Sequence, residues 1–347
     1  MSPEQVRLDD GRPNNGGSAM EDAMASTPRP DAGSLILLNP RSFRMSLRDR
    51  RRRIHELAER RQARLVEVSE PEEIEQNVLA AMHRGCRLLV VIGGDGTVQA
   101  AVTALASCPE SQAQPDILVL GGGRTNYTAR DIGTHDRLLV TLALALDDPA
   151  RLSATERRTL ALHHPGQARV EHGFFVAGAL VDHVIRDCHS YRSGGTGPLR
   201  RGHLSSAWRV FQLGLLGLLG RSSYRPVELS VSATELGRLD GACRLLLLTS
   251  LHHRREWIDP YARRGTGPVR LTMIKQSASS FWRRLPRLLH GRYQKDMSPE
   301  SGYLSGNSTE VRIQGLERLS LDGQEIDLDP GQPLTVTAGP IFRFLHP

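Results

Sequence analysis

The chain has 347 residues, with 45 Lys and Arg against 38 Asp and Glu and a formal net charge of +7. That length can hold two domains and a sizeable core, and the basic balance suits nucleic acid, an anionic membrane surface or phosphorylated ligands without choosing among them. The four cysteines include no CxxC pair, no GxxxxGK[ST], GxSxG or HExxH string occurs, and no apolar run spans a membrane, which excludes a zinc ribbon, a P-loop enzyme, an α/β-hydrolase, a zincin and a transmembrane helix as readings.

Lys275 and Lys295 are the only lysines; the base is nearly all Arg, which clamps phosphates in bidentate fashion but does not serve as a low-pKa amine. Residues 1–33 are polar and rich in Gly, Pro, Asp and Asn, the composition of a disordered tail with no signal-peptide pattern. The apolar run at 35–38 predicts a buried strand, stopped by Asn39-Pro40. A basic helix follows over about 47–64, with Ile54, Leu57 and Ala58 as its apolar stripe and its arginines as a solvated face. Residues 65–68 predict a second strand, and residues 71–84 a helix with acids in its first turn, as the helix dipole favours.

The run Leu88-Leu89-Val90-Val91-Ile92 predicts a strand buried on both faces, and Gly93-Gly94-Asp95-Gly96-Thr97 follows it directly. Beyond Thr97, read as the N-cap, Val98, Ala101, Val102 and Leu105 recur at helical spacing. Another apolar strand at 117–120 is followed by Gly121-Gly122-Gly123-Arg124-Thr125-Asn126-Tyr127, then helices from about Thr128 and over 135–146. Strands alternating with helices predict a parallel sheet whose ligands bind at the carboxyl ends of the strands.

After Pro149 the texture changes. Short strand-like runs at 157–162, 168–177, 226–233, 242–250, 269–274, 309–314, 319–321 and 334–336, separated by turns, predict a β-rich second domain of sandwich type. A helix is predicted over 204–219 with Leu204, Trp208, Phe211, Leu215 and Leu218 on one face, read as core packing before lipid contact. Residues 281–292, FWRRLPRLLHGR, mix aromatics, leucines and arginines in a way that suits a membrane interface, although Pro286 argues against one smooth helix and leaves a basic loop equally open. The adjacent pairs His163-His164 and His252-His253 point to opposite faces on a strand and make no two-ligand metal site. Ser193-Gly194-Gly195-Thr196-Gly197 follows no buried strand and reads as a connection.

Two glycine turns at one sheet edge make an anion site, because glycine admits a ligand close to the backbone and a helix N-terminus presents unpaired N–H groups. Asp95 is the odd residue: a carboxylate in a phosphate cradle is repelled unless a metal ion or a transferable proton intervenes, which points to phosphoryl transfer.

Gly93-Gly94-Asp95-Gly96-Thr97 after an apolar strand resembles the nucleotide signature of the diacylglycerol kinase catalytic-domain family, which includes soluble bacterial lipid kinases and sphingosine and ceramide kinases. Leu38-Asn39-Pro40, then Gly123-Arg124-Thr125-Asn126 with Ala129-Arg130 and Ile132-Gly133, then Leu321-Asp322-Gly323-Gln324, and finally Leu334-Thr335-Val336 with the closing strand at 341–345 extend the resemblance. Thr125 and Tyr127 stand where the family usually has Gly and Asp, and Gln324 where it has Glu.

The resemblance implies an α/β plus β architecture: a phosphofructokinase-like nucleotide domain over 34–150 and a β-sandwich lipid domain over 151–347, with the site in the cleft. It implies ATP and Mg²⁺, a lipid hydroxyl as phosphoryl acceptor at an anionic membrane surface, and a cytoplasmic protein with peripheral membrane association. Gly93, Gly94, Gly96, Thr97, Gly123 and Asn126 are then expected to hold the nucleotide, Asp95 to hold Mg²⁺ or orient the hydroxyl, and Asp322 to act as general base. Nucleic acid is not an expected partner; a homodimer stays open. The rival readings are an NAD kinase-like enzyme and an inactive lipid-binding or regulatory homologue, and Asp322-Gly323 alone would read as a hairpin turn.

Overall fold

The computed structural model describes residues 33–45, 48–109, 111–123, 126–132, 134, 137–179, 182, 226–251 and 259–347. The predicted tail, the helix over 204–219, the 193–197 connection and the His252-His253 pair lie outside the described residues, apart from Gly33 of the tail.

Four strands form the parallel part of the sheet in the order β2, β1, β3, β4: β1 (Ser34–Leu38), β2 (Arg64–Glu67), β3 (Leu88–Gly93) and β4 (Asp116–Gly121). Leu38 sits opposite Ile92, and Gly93 opposite Gly121. The polar residues that follow β1, β3 and β4 therefore emerge at one edge. β3 is buried along its whole length, because α1 (Arg48–Arg60), α2 (Pro71–His83), α3 (Asp95–Ala106) and α5 (Leu138–Asp147) cover the two faces of the sheet. Leu89 and Val91 pack with Ile74, Val78 and Val102 on one side, and Leu88, Val90 and Ile92 pack with Ile54 and Leu142 on the other. Continuous apolar strands with helices on both faces produce two cores, one per face. α2 starts from a capping box in which Glu70 and Glu73 exchange backbone donors.

Antiparallel strands follow: β5 (Ser153–His163), β6 (Glu171–Gly173), β7 (Phe175–Ala179), β8 (Val227–Ala233), β9 (Gly237–Thr249), β10 (Val269–Lys275), β11 (Tyr303–Ser308), β12 (Glu310–Gln314), β13 (Arg318–Leu321), β14 (Gln324–Asp327) and β15 (Leu334–His346). Their inward side chains, Leu160, Val176, Leu246, Leu248, Leu271, Val311, Leu319 and Val336 among them, share one core. These strands are hydrogen-bonded into the same 15-stranded network as the parallel ones. β15 makes the join: it pairs with β5 and β12 antiparallel and with β4 in parallel, at Phe344 opposite Ile117. Its Phe342 and Phe344 are buried in the parallel-sheet core, and the Phe344 ring lies 5.9 Å from that of Phe174.

Several elements differ from the sequence reading. The run at 168–177 is two strands, β6 and β7, broken at Phe174. The runs at 334–336 and 341–345 are one strand with an irregularity between Ala338 and Ile341. β11 and β14 were not expected. Residues 281–288 form a helix, α6 (Phe281–Leu288), with Pro286 inside it; in so short a helix a proline at the sixth position removes a single N–H bond, the one toward the half-exposed Trp282. Among the described residues no helix is long and apolar enough to cross a membrane.

Candidate active site

The site is built where the parallel edge meets β7 and the β13–β14 turn. α3 begins at Asp95, with Gly94 as its N-cap in extended conformation. This corrects the expectation for Thr97. Thr97 lies inside the first turn, and its hydroxyl accepts from Asn39 Nδ2 at 3.0 Å, so the side chain joins the end of β1 to α3 rather than capping the helix. Asn39 N–H in turn donates to Ile92 O at 2.9 Å.

The two glycine turns pack backbone against backbone. Gly122 and Gly123 both donate to Gly93 O, at 2.7 and 3.1 Å. A Cβ on Gly123 would come within 2.7 Å of Gly94 Cα, so only glycine permits the approach. Asn126 closes the second turn in a left-handed conformation, φ 48°, and its Nδ2 donates to Gly123 O at 2.9 Å. Its Oδ1 is buried and has no hydrogen-bond partner among the described residues. A buried orphan acceptor costs free energy unless something outside the chain satisfies it. That orphan, the Gly94–Gly123 cradle and the first turn of α3 together fit a phosphorylated nucleotide. Gly93, Gly94, Gly96, Thr97, Gly123 and Asn126 thus come together at one edge; Arg124 and Thr125 lie outside the described residues.

Asp95 faces α4 (Tyr127–Ile132), where its Oδ1 accepts from Thr128 N–H at 3.0 Å. Burial lifts its pKa above the usual carboxylate value, against the opposing pull of the Tyr127 and Thr128 donors and the Arg130 charge. Asp322 comes from the other half of the chain. Leu321 pairs with Gln324, and Asp322 and Gly323 have φ of 50° and 85°, which is the two-residue primed hairpin turn that Asp-Gly favours. The hairpin-turn reading is thus what the backbone shows. Asp322 is buried, and its carboxylate accepts from Phe174 N–H at 2.8 Å and Phe175 N–H at 2.9 Å. Its own N–H donates to Phe175 O at 2.8 Å. A Cβ on Gly173 would lie 2.5 Å from Asp322 Oδ2, so β6 must carry glycine there. The Tyr127 and Phe175 rings, 5.4 Å apart, close the gap between the Asp95 and Asp322 supports.

Burial pushes the Asp322 pKa up to about 8, and the neighbouring Asp95 charge adds to the rise, while the Phe174 and Phe175 donors oppose it. Two carboxyls so placed resist double ionisation. For a group whose folded pKa lies above its unfolded value of 3.8, the protein holds the extra proton between 3.8 and about 8. The stability associated with that proton is present at acid pH and is lost as pH rises through about 8. The melting temperature of the parent chain should therefore fall across this window by more than that of Asp322→Asn, and Asp95→Asn should shrink the fall by removing a like charge. Superimposable melting profiles for the parent and Asp322→Asn would show that Asp322 titrates as an ordinary surface carboxyl.

Sequence reasoning missed four supports. The Phe174 and Phe175 amides and the Thr128 amide are backbone donors and leave no residue signature. Gln99, one turn beyond Asp95, donates to Thr103 Oγ1 at 3.1 Å and Glu171 Oε2 at 3.0 Å, fastening α3 to β6. Its only signal was a long polar side chain among the alanines and valines that follow the first turn of α3.

This combination defines an α/β sheet edge of packed glycine turns joined to an antiparallel region that supplies a second carboxylate. Residues 34–152 match the family model of the diacylglycerol kinase catalytic domain. No curated protein matches the chain. Among solved structures, a diacylglycerol kinase from Bacillus anthracis str. Sterne aligns with a TM-score of 0.57 at 12% identity, covering 91% of this chain and 97% of its own. Two further structures from the same organism align with TM-scores of 0.60 and 0.56, at 12% and 13% identity, each over 91% of this chain and over 95% and 98% of theirs. At this identity the likeness establishes the fold.

Proposed function

We propose that the chain is an ATP-dependent lipid kinase that transfers the γ-phosphoryl group to a lipid hydroxyl of diacylglycerol or sphingoid type. The observation that carries the reading is the buried Asp322 carboxylate, held by the Phe174 and Phe175 amides beside Asp95. In this reading residues 34–150 bind nucleotide and residues 151–347 present the lipid. Gly93, Gly94, Gly96, Thr97, Gly123 and Asn126 cradle the phosphates, and the N-terminal turn of α3 offers them unpaired N–H groups. Asp95 would hold Mg²⁺, which neutralises the charge on the transferred group and needs few protein carboxylates.

Asp322 takes the acceptor proton as the hydroxyl oxygen bonds to the γ-phosphorus and the bond to the leaving ADP oxygen breaks. A carboxylate base is normally weak, but a pKa of about 8 matches it to this task near neutral pH. The protein otherwise supplies position and electrostatics.

Incubation with labelled ATP, Mg²⁺ and mixed-lipid vesicles should yield a phosphorylated lipid that disappears on chelation. Phosphorylation of soluble NAD in place of lipid would assign the chain to the NAD kinase-like reading. ATP binding with no product from any acceptor would favour an inactive homologue.

A further inference from the structure

A second functional surface lies away from the carboxylates, on α6. Between Phe281 and Lys295 the chain carries Arg283, Arg284, Arg287, Arg292 and Lys295 and no acid. The fold sorts these residues by face. Arg284 and Leu288 turn inward. Arg284 donates to Asp296 Oδ2 at 2.5 Å and lies over the Tyr303 ring, and Leu288 packs with Ile274, Met297 and Tyr303. Trp282, Arg283, Pro286, Arg287 and His290 are exposed together, and their spacing puts them on one side of the helix. Trp282 is 44% exposed, one of few large apolar side chains so placed.

Its indole is nevertheless held in position. The Arg244 guanidinium lies 4.5 Å from the Phe281 ring centroid and 5.4 Å from that of Trp282, and the two rings meet edge to face at 5.0 Å. Arg283 bonds only to the Ser280 hydroxyl, and Arg283, Arg287, Arg292 and Lys295 have no carboxylate partner among the described residues. A pre-positioned indole ringed by uncompensated cations is complementary to an anionic interface with an apolar layer beneath it. A nucleic-acid strand calls for a longer basic track than a two-turn helix of ~12 Å.

The same helix leads to the carboxylate site. Asp259 N–H donates to Leu289 O at 2.8 Å, just past α6. Two residues on, Tyr261 packs on Ala177 and Leu247 beside Phe175, whose amide holds Asp322.

We propose that the outward face of α6, Trp282 with Arg283 and Arg287 and the cations Arg292 and Lys295 beyond it, docks the protein on an anionic lipid bilayer. The full chain should co-sediment with phosphatidylcholine vesicles that contain phosphatidylglycerol, more weakly as salt rises, and should stay in solution with phosphatidylcholine alone. Arg283→Gln/Arg287→Gln should lower the partition coefficient about tenfold or more, since two basic groups near the surface are lost. Trp282→Ala should lower it as well, with the circular dichroism spectrum and melting temperature unchanged. Arg52→Gln/Arg53→Gln, on the exposed basic face of α1, should bind as the parent does.

Equal partition onto neutral and anionic vesicles would overturn the proposal, as would an α6 double variant that binds like the parent. A loss of the same size in the α1 variant would reduce the effect to diffuse charge and overturn it too. So would RNA binding that is lost on α6 substitution while vesicles are ignored. None of these readouts uses turnover, so they stand or fall separately from the kinase reading.

Discussion

Asp322→Asn should lower turnover by ~100-fold or more, the usual scale for losing a general base, and should leave ATP affinity close to that of the parent. The substitution is unusually clean at this position. Asn-Gly suits a primed hairpin turn as well as Asp-Gly does, so the left-handed φ of 50° is retained. The amide oxygen can still accept from one of the Phe174 and Phe175 amides. The other then faces an NH₂ group, a mismatch that costs on the order of 1–2 kcal/mol. What the variant cannot do is take a proton.

The pH profile sharpens the test. With Asp322 pushed up to about 8, kcat/KM of the parent should climb through neutral pH and level off above about 8, because only the ionised carboxyl acts as base. The residual activity of Asp322→Asn should lack that limb. A variant that turns over like the parent would leave Asp322 as a turn residue alone and would send the proton to Asp95 or to water.

Gly123→Ala should have the second large effect, on binding rather than chemistry. The new methyl would meet Gly94 Cα at 2.7 Å and Asn126 Oδ1 at 3.1 Å. The first contact is closer than atoms tolerate and lies against backbone, and the second is tight, so the turns must separate and the Gly123 N–H bond to Gly93 O must lengthen from 3.1 Å. A displacement approaching 1 Å in a phosphate cradle costs on the order of 100-fold, and calorimetry should register an ATP affinity weakened to that degree. Gly94→Ala is the control for local strain. Its Cβ meets Gly123 Cα at 3.6 Å, an ordinary contact, so the turns stay packed and any loss of affinity reports on the ligand's approach to the backbone. Unchanged ATP affinity in Gly123→Ala would place the nucleotide elsewhere.

The elements that could be read from the sequence are those whose local pattern and tertiary setting agree. β3, its glycine turn and α3 are legible because an uninterrupted apolar run admits only a strand buried on both faces. β11 was missed because YLSGNS has no apolar alternation. Its Ser305 and Ser308 hydroxyls are buried and hydrogen-bonded, and its strand character comes from pairing with β10. Thr97 looks like a cap in isolation, and only Asn39, 58 residues earlier, shows where its hydroxyl goes. At the candidate site each side chain could be named, but not what holds it: the donors to Asp95 and Asp322 are main-chain amides of Thr128, Phe174 and Phe175, and every residue type has one. The Asp95–Asp322 coupling is likewise a product of the fold, between residues far apart in sequence.

The placement of β15 has a consequence for how the chain acquires its structure. The strand that seals the edge of β4 follows every other strand in the sequence and contributes Phe342 and Phe344 to the first core. During synthesis the parallel half therefore emerges with β4 as a bare edge and with two aromatic places unfilled. Such an edge is a template for pairing with other chains until its own partner arrives. Closure across so long a loop makes folding slow and couples the halves into one late cooperative step. A ribosome-bound chain lacking 334–346 should thus be protease-sensitive throughout the parallel sheet, far from the missing strand in sequence, and should acquire protection there only when β15 is released.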